Sequence, residues 1–178
     1  MKRILPIVFI SLILLVSCGS NQSLQDGWHE DVFASEFFGI SFALPFDWYD
    51  EPQNGRTLGD RVVMYAESPV LGGGWFHECV QLSYWDSEMT AEDYLAYVLA
   101  SNIAEIAGDE PLRALQIQDH ATRIGRYDWL SFSYWGLDGG FARVFVRRSD
   151  VYMQQILILH GAEPSLEHIL ELFSPPER

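Results

Sequence analysis

The chain has 178 residues, 48% of them hydrophobic and 20% charged, which excludes a disordered chain and allows one domain with a real core. Two of the 11 bases, Lys2 and Arg3, lie within the first 17 residues, so the rest of the chain carries 9 bases against 25 acids, a charge of −16 with no Lys. A body this acidic repels phosphate backbones, and no nucleic-acid partner is expected.

The first element in chain order is an address. Met1-Lys2-Arg3 is positive and is followed by the apolar run from Ile4 to Val16. Those residues at helical rise reach only about 20 Å, against roughly 30 Å of bilayer hydrocarbon, so the run reads as the core of a signal peptide. It closes on Leu15-Val16-Ser17-Cys18, which resembles the lipobox of bacterial lipoproteins. A plain secretory peptide with an incidental Cys, or an uncleaved anchor, are the competing readings. The resemblance implies cleavage before Cys18, a diacylglyceryl group on its sulfur and acylation of the new amino group. Several acyl chains anchor stably where one does not, at about 0.8 kcal/mol per buried methylene. Gly19 in the next position, where Asp would favour inner-membrane retention, points to the outer membrane if the host is diderm. The expected organisation is a signal peptide over 1–17, a lipidated Cys and polar tether over 18–27, and a single domain over 28–178. The protein is then extracytoplasmic and lipid-anchored to a bacterial membrane. With Cys18 lipidated, Cys79 has no partner in the chain and is expected to be buried.

Alternation of apolar and polar residues predicts strands at Asp31 to Ser35, Ile40 to Leu44 and Arg61 to Glu67. A loop with Gly72-Gly73-Gly74 precedes a fourth strand, His77 to Trp85, in which Val80, Leu82 and Tyr84 face one way and Cys79, Gln81, Ser83 and Trp85 the other. Thr90 is an N-cap, with Asp93 three residues on, for a helix closed by Gly108. Its buried stripe is Tyr94, Leu95, Val98, Leu99, Asn102, Ile103 and Ile106. Four strands come next as two hairpins: Leu115 to Ile124, a turn over Gly125-Arg126-Tyr127-Asp128, Trp129–Trp135, a turn over 137–140, Phe141–Arg148 and Val151–His160. Pro164 starts a short helix bearing Leu166, Ile169, Leu170 and Phe173. The class is α+β, with a central, mostly antiparallel sheet flanked by helices.

One stretch is more specific. Phe38-Gly39-Ile40-Ser41-Phe42-Ala43-Leu44-Pro45-Phe46-Asp47-Trp48 resembles the opening signature of PsbP-like and DcrB-like domains, an aromatic, alternating strand residues and then Pro-x-x-Trp. The helix opening Thr90-Ala91-Glu92-Asp93-Tyr94 and the close at Leu172-Phe173-Ser174 come after it in order, so the resemblance covers about residues 30 to 174. It implies a PsbP-like α/β/α sandwich and non-enzymatic work: binding small GTPases, assisting photosystem assembly, or serving in bacterial envelopes as lipoproteins. No set of functional residues is shared across that family.

The residues themselves argue against catalysis. There is no Gly-x-Ser-x-Gly, and Gly72-Gly73-Gly74 lacks the Lys and following helix of a phosphate loop. Trp28-His29-Glu30-Asp31 and His77-Glu78 have no metal-ligand spacing, so neither metal nor cofactor is expected. Aromatics stand out: beyond residue 17 lie all 6 Trp and 8 Tyr and all but one of the 11 Phe. Trp129 and Trp135 share a face, and Phe141, Arg143, Phe145 and Arg147 form a mixed face on the next strand. These residues either present a platform for a glycan, an apolar ligand or a protein, or fill a core. Trp75 and Phe76, after the three glycines, are the candidate binding tip. The expected function is a lipid-anchored envelope module that binds a protein partner or, as the alternative, carries a small ligand or glycan in an aromatic pocket.

Overall fold

The computed structural model describes residues 27–50, 61–69, 77–106, 115–118, 120–135 and 140–177. Two short strands begin it because alternate residues are apolar. In β2 (Val32–Ser35) and β3 (Ile40–Ala43), Phe33 pairs with Phe42 and Ser35 with Ile40, which sends both Phe rings to the core side. β1 (Gly27–His29) adds to β2, and the last strand of the chain, β12 (Phe173–Ser174), adds to β3.

The larger sheet runs β4 (Tyr49–Asp50), β5 (Arg61–Glu67), β6 (Cys79–Asp86), β11 (Tyr152–His160), β10 (Phe141–Ser149), β9 (Tyr127–Trp135) and β7 (Gln116–Ile117), with β8 (Thr122–Ile124) paired to β9 beside that path. Each of its described pairings is antiparallel. Its two faces serve two cores. On one, Leu82, Trp129, Phe145, Ile156 and Ile158 pack under the small sheet (Phe33, Phe38, Ile40, Phe42) and under Leu166 and Ile169 of α2 (Glu163–Glu171). On the other, Phe132, Val144, Val146 and Met153 meet Ala91 and Leu95 of α1 (Ala91–Ile106). Each such buried side chain contributes on the order of 1.5–3 kcal/mol of transfer energy, so the sandwich is closed from both sides by apolar burial. Thr90 caps α1 as expected, its Oγ1 accepting the Asp93 N–H at 3.0 Å.

Four local expectations are corrected. The strand expected over 115–124 is two strands, because Gln118-Asp119-His120 breaks the alternation and the register on β9 shifts between Ile117↔Phe132 and Thr122↔Trp129. The turn after them is Gly125-Arg126 alone, and β9 already starts at Tyr127. Phe173 leaves α2: the helix ends at Glu171 with Leu172 as its cap, and Phe173 pairs with Phe42, rings 5.0 Å apart. Leu99 lies outside the buried stripe at 40% exposure, since α1 buries the arc through Ala91 and Leu95, with Val98 at its edge.

Two turns lock the layers together. Gly39 (φ +67°) and Gly125 (φ +59°) both adopt the left-handed conformation, and the Arg126 N–H donates to the Gly39 carbonyl at 2.9 Å. A methyl on Gly39 would lie 2.2 Å from the Tyr127 ring, and one on Gly125 2.3 Å from the Gly39 oxygen. Arg126 also pairs with Glu36 and donates to the Pro176 carbonyl at 2.9 Å, tying both turns to the C-terminal segment.

Candidate functional site

The sheet-pairing registers decide which aromatics can act. Trp129 is 0% exposed, its ring stacked 6.5 Å from Phe38 at 6° and its Nε1–H donating to the Ile124 carbonyl at 3.3 Å. It is a core residue, so the platform reading is corrected at this position. Trp135 is 42% exposed and packs edge-on against Phe141, centroids 4.5 Å apart. Phe141 in turn stacks on the buried His160 at 5.7 Å. Arg143 lies on the same face, mostly covered, with Nη2 3.4 Å from Glu163 and Nε buried without a protein partner. Trp135 and Arg143 thus gather at the His160 end of β11, and Trp129 does not join them. Trp75, Phe76, Gly72-Gly73-Gly74 and Cys18 lie outside the described residues.

At the other end of β11 the structure places an open cleft of about 490 Å³, lined by Gly27, Phe33, Ser35, Phe37, Phe38, Val63, Tyr84 and Tyr152. Its lining comes from β1, β2 and the β2–β3 turn of the small sheet and from β5, β6 and β11 of the large one. Phe37 projects from the β2–β3 turn into the gap, its ring edge-to-face with Phe38 (5.2 Å), Tyr84 (5.1 Å) and Tyr152 (5.6 Å). Tyr84 and Tyr152 meet each other at 5.4 Å and 89°. Such edge-to-face pairs contribute about 0.5–1.5 kcal/mol each beyond their burial, which fixes the wall in place.

A polar relay behind the wall holds Phe37. Arg147 lies 3.7 Å over the Tyr127 ring and donates to Gln154 Oε1 at 2.7 Å. The fully buried Gln154 then donates from Nε2 to the Phe37 carbonyl at 2.7 Å. Burial lowers the pKa of Arg147 from its ordinary value, which the charge interaction and hydrogen bond with Tyr127 oppose. Ser35 Oγ accepts the Phe38 N–H at 3.2 Å, so both residues of the Phe37-Phe38 doublet are pinned through their backbones.

Burial shifts several ionisable groups. Cys79 is buried on the α1-facing side of β6, and desolvation pushes its thiol up to about 11. Burial likewise raises Tyr134, and it raises Tyr65, whose hydroxyl donates to Glu67 at 2.7 Å. Burial lowers the pKa of His160, whose Nδ1 lies 3.0 Å from the Ala162 carbonyl. Among the described residues no three His, Cys, Asp or Glu side chains converge as a metal site, and no helix is long and apolar enough to cross a membrane. What the cleft can do chemically is hold an apolar guest against ring faces.

Sequence reasoning missed Phe37, Val63, Tyr84 and Tyr152 as wall residues, because they come from four separate elements with no common spacing. The signal available was the Phe37-Phe38 doublet itself, two large apolar residues in a turn where polar ones are usual.

No family model matches the chain, and no curated protein matches it. Among solved structures it is similar to the cyanobacterial PsbP protein CyanoP of Synechocystis sp. PCC 6803, 13% identical with a TM-score of 0.50, over 92% of this chain and 99% of that one. LpqN of Mycobacterium tuberculosis, described as involved in cell envelope biogenesis, is 14% identical with a TM-score of 0.43, over 77% and 83%. A Bacteroides thetaiotaomicron protein is 12% identical with a TM-score of 0.44, over 83% of this chain and 49% of that one, so this chain spans about half its length. At such identity the likeness to CyanoP is one of architecture: the chain has a PsbP-like α+β fold.

Proposed function

We propose that the chain is a lipid-anchored, non-enzymatic binding module of the bacterial cell envelope, held by acyl groups on Cys18. Leu15-Val16-Ser17-Cys18 supports the anchor. The observation that carries the binding role is the aromatic cleft, whose volume of about 490 Å³ falls within the roughly 300–1,000 Å³ of small-ligand sites. This favours the ligand-carrying form of the function. A protein partner is the second reading, supported by the full exposure of Phe46 and by Trp135 on its Phe141 support. Its proposed contacts are Trp75, Phe76, Trp135 and Arg143.

The anchor is tested with Cys18→Ala. The variant is expected to leave the detergent phase in phase partitioning, to incorporate no labelled palmitate and to accumulate as an uncleaved precursor. A variant that is still processed and lipid-labelled refutes the anchor.

A further inference from the structure

We infer that the cleft takes a single acyl chain carrying an uncharged headgroup, drawn from the membrane to which the protein is tethered; this rests on the anchoring reading above. Three observations lead there. First, the described lining is rings and aliphatic groups, with Ser35 and the Tyr84 and Tyr152 phenols as its polar members and no charged side chain. Nothing among the described lining residues neutralises a carboxylate or phosphate, and buried charge without a partner is strongly disfavoured. The net charge of −14 for the full sequence adds a general repulsion of anionic lipids. An uncharged monoacylglycerol fits this chemistry and a free fatty acid does not.

Second, the cleft is placed to meet lipid. Gly27 is both a lining residue and the first residue of β1. It stands nine residues from Cys18, a span of at most about 30 Å of extended chain. The anchor therefore limits how far the cleft mouth can stand from the bilayer.

Third, the wall is preorganised. Phe37 is held by Gln154, and Gln154 by Arg147, before any guest arrives. A preformed apolar site avoids the ordering cost that a collapsing pocket would add. Val63, by contrast, is 40% exposed on the rim. A larger side chain there obstructs the opening without entering the core.

The experiment places the full-length lipidated protein in neutral phosphatidylcholine vesicles containing a monoacylglycerol with a diazirine in its chain. After illumination, crosslinked peptides are mapped by mass spectrometry, and anchoring is scored by flotation of the same sample. Labels are expected on the peptides holding Phe37, Tyr84 and Tyr152. Val63→Trp is expected to lower them about tenfold, equivalent to 1.4 kcal/mol, with an unchanged melting temperature and unchanged flotation. A matched diazirine fatty acid is expected to label these peptides at least tenfold less. Floating protein without label in the cleft overturns the inference while leaving the anchor intact. Labels confined to residues 19–27, labels undiminished by Val63→Trp, or equal labelling by the fatty acid each overturn it as well. Protein that does not float fails the anchoring reading instead, and the same labelling repeated in solution with dispersed monoacylglycerol then decides the cleft separately.

Discussion

Gln154 shows how one buried polar side chain organises a site. Its amide is oriented by Arg147: the oxygen accepts from the guanidinium, so the nitrogen donates to the Phe37 carbonyl. Gln154→Leu keeps similar volume but leaves both partners unmatched. The expected loss is about 1–3 kcal/mol in urea unfolding, accompanied by a weaker near-ultraviolet circular dichroism signal from the Phe37, Tyr84 and Tyr152 cluster. A stable variant with an unchanged aromatic signal would mean that ring packing alone fixes the wall. Trp129 teaches the complementary point. Its place beside Trp135 on one strand face is visible in the sequence, but whether that face meets solvent or a second sheet is not. The residue stacked on Trp129 from the second sheet's side, Phe38, lies about 90 positions earlier.

Among elements, the docked turns are the decisive contact. Gly39 lies in the turn between β2 and β3, Gly125 in the turn between β8 and β9, and each is left-handed and pressed against the other's surroundings. Gly125→Ala meets two penalties: about 1–2 kcal/mol for a left-handed non-Gly residue, and a methyl 2.3 Å from a backbone oxygen that cannot swing aside. A total of about 2–4 kcal/mol is expected, read as a lower urea midpoint with an unchanged slope. A loss under about 0.5 kcal/mol would show that the two turns separate cheaply. Longer strands with clean alternation, β6, β9, β10 and β11, are legible in the sequence because each carries its own pattern. β1, β4 and β12 have only two or three residues each, and no pattern that short can exist; they are strands because a neighbour offers unpaired backbone groups. The cleft is illegible for the same reason, being assembled from elements that meet only in the folded molecule.

At the scale of the whole molecule, two groups on opposite faces of the large sheet set where stability begins to fall on either side of neutrality. His160 faces Glu163, Arg143 and Glu78, is stacked on Phe141, and has its pKa lowered from 6.5 by burial. Between its folded value and 6.5 the unfolded chain binds the extra proton, so stability falls as pH drops below about 6.5 and levels off below the folded value. Cys79 acts in the opposite sense: raised from 9.0 to about 11, it keeps its proton in the fold where the unfolded chain loses it. Stability therefore falls as pH rises above about 9, by up to ~2–3 kcal/mol near pH 11. Urea melts from pH 5 to 10.5 are expected to show a plateau between two declining limbs. His160→Gln should flatten the acidic limb, and Cys79→Ala the alkaline one up to about pH 10, above which Tyr65 and Tyr134, also raised by burial, add to the decline. An acidic limb that survives His160→Gln would assign it to the carboxylates.

The pairing of Phe173 with Phe42 and of Ser174 with Ser41 also sets a timetable for folding. The third strand of the small sheet pairs with β12 only once residues 173 and 174 have been made, and the Gly39 turn waits for residue 125. Contacts so distant in sequence form late and slowly. If the chain is exported unfolded, as the proposed signal implies, its N-terminal half emerges long before these partners exist. The same long-range pairing that closes the domain at the end keeps the emerging half open during passage, so export and folding compete little. For an exported chain, the order of the strands would double as a delay that favours translocation.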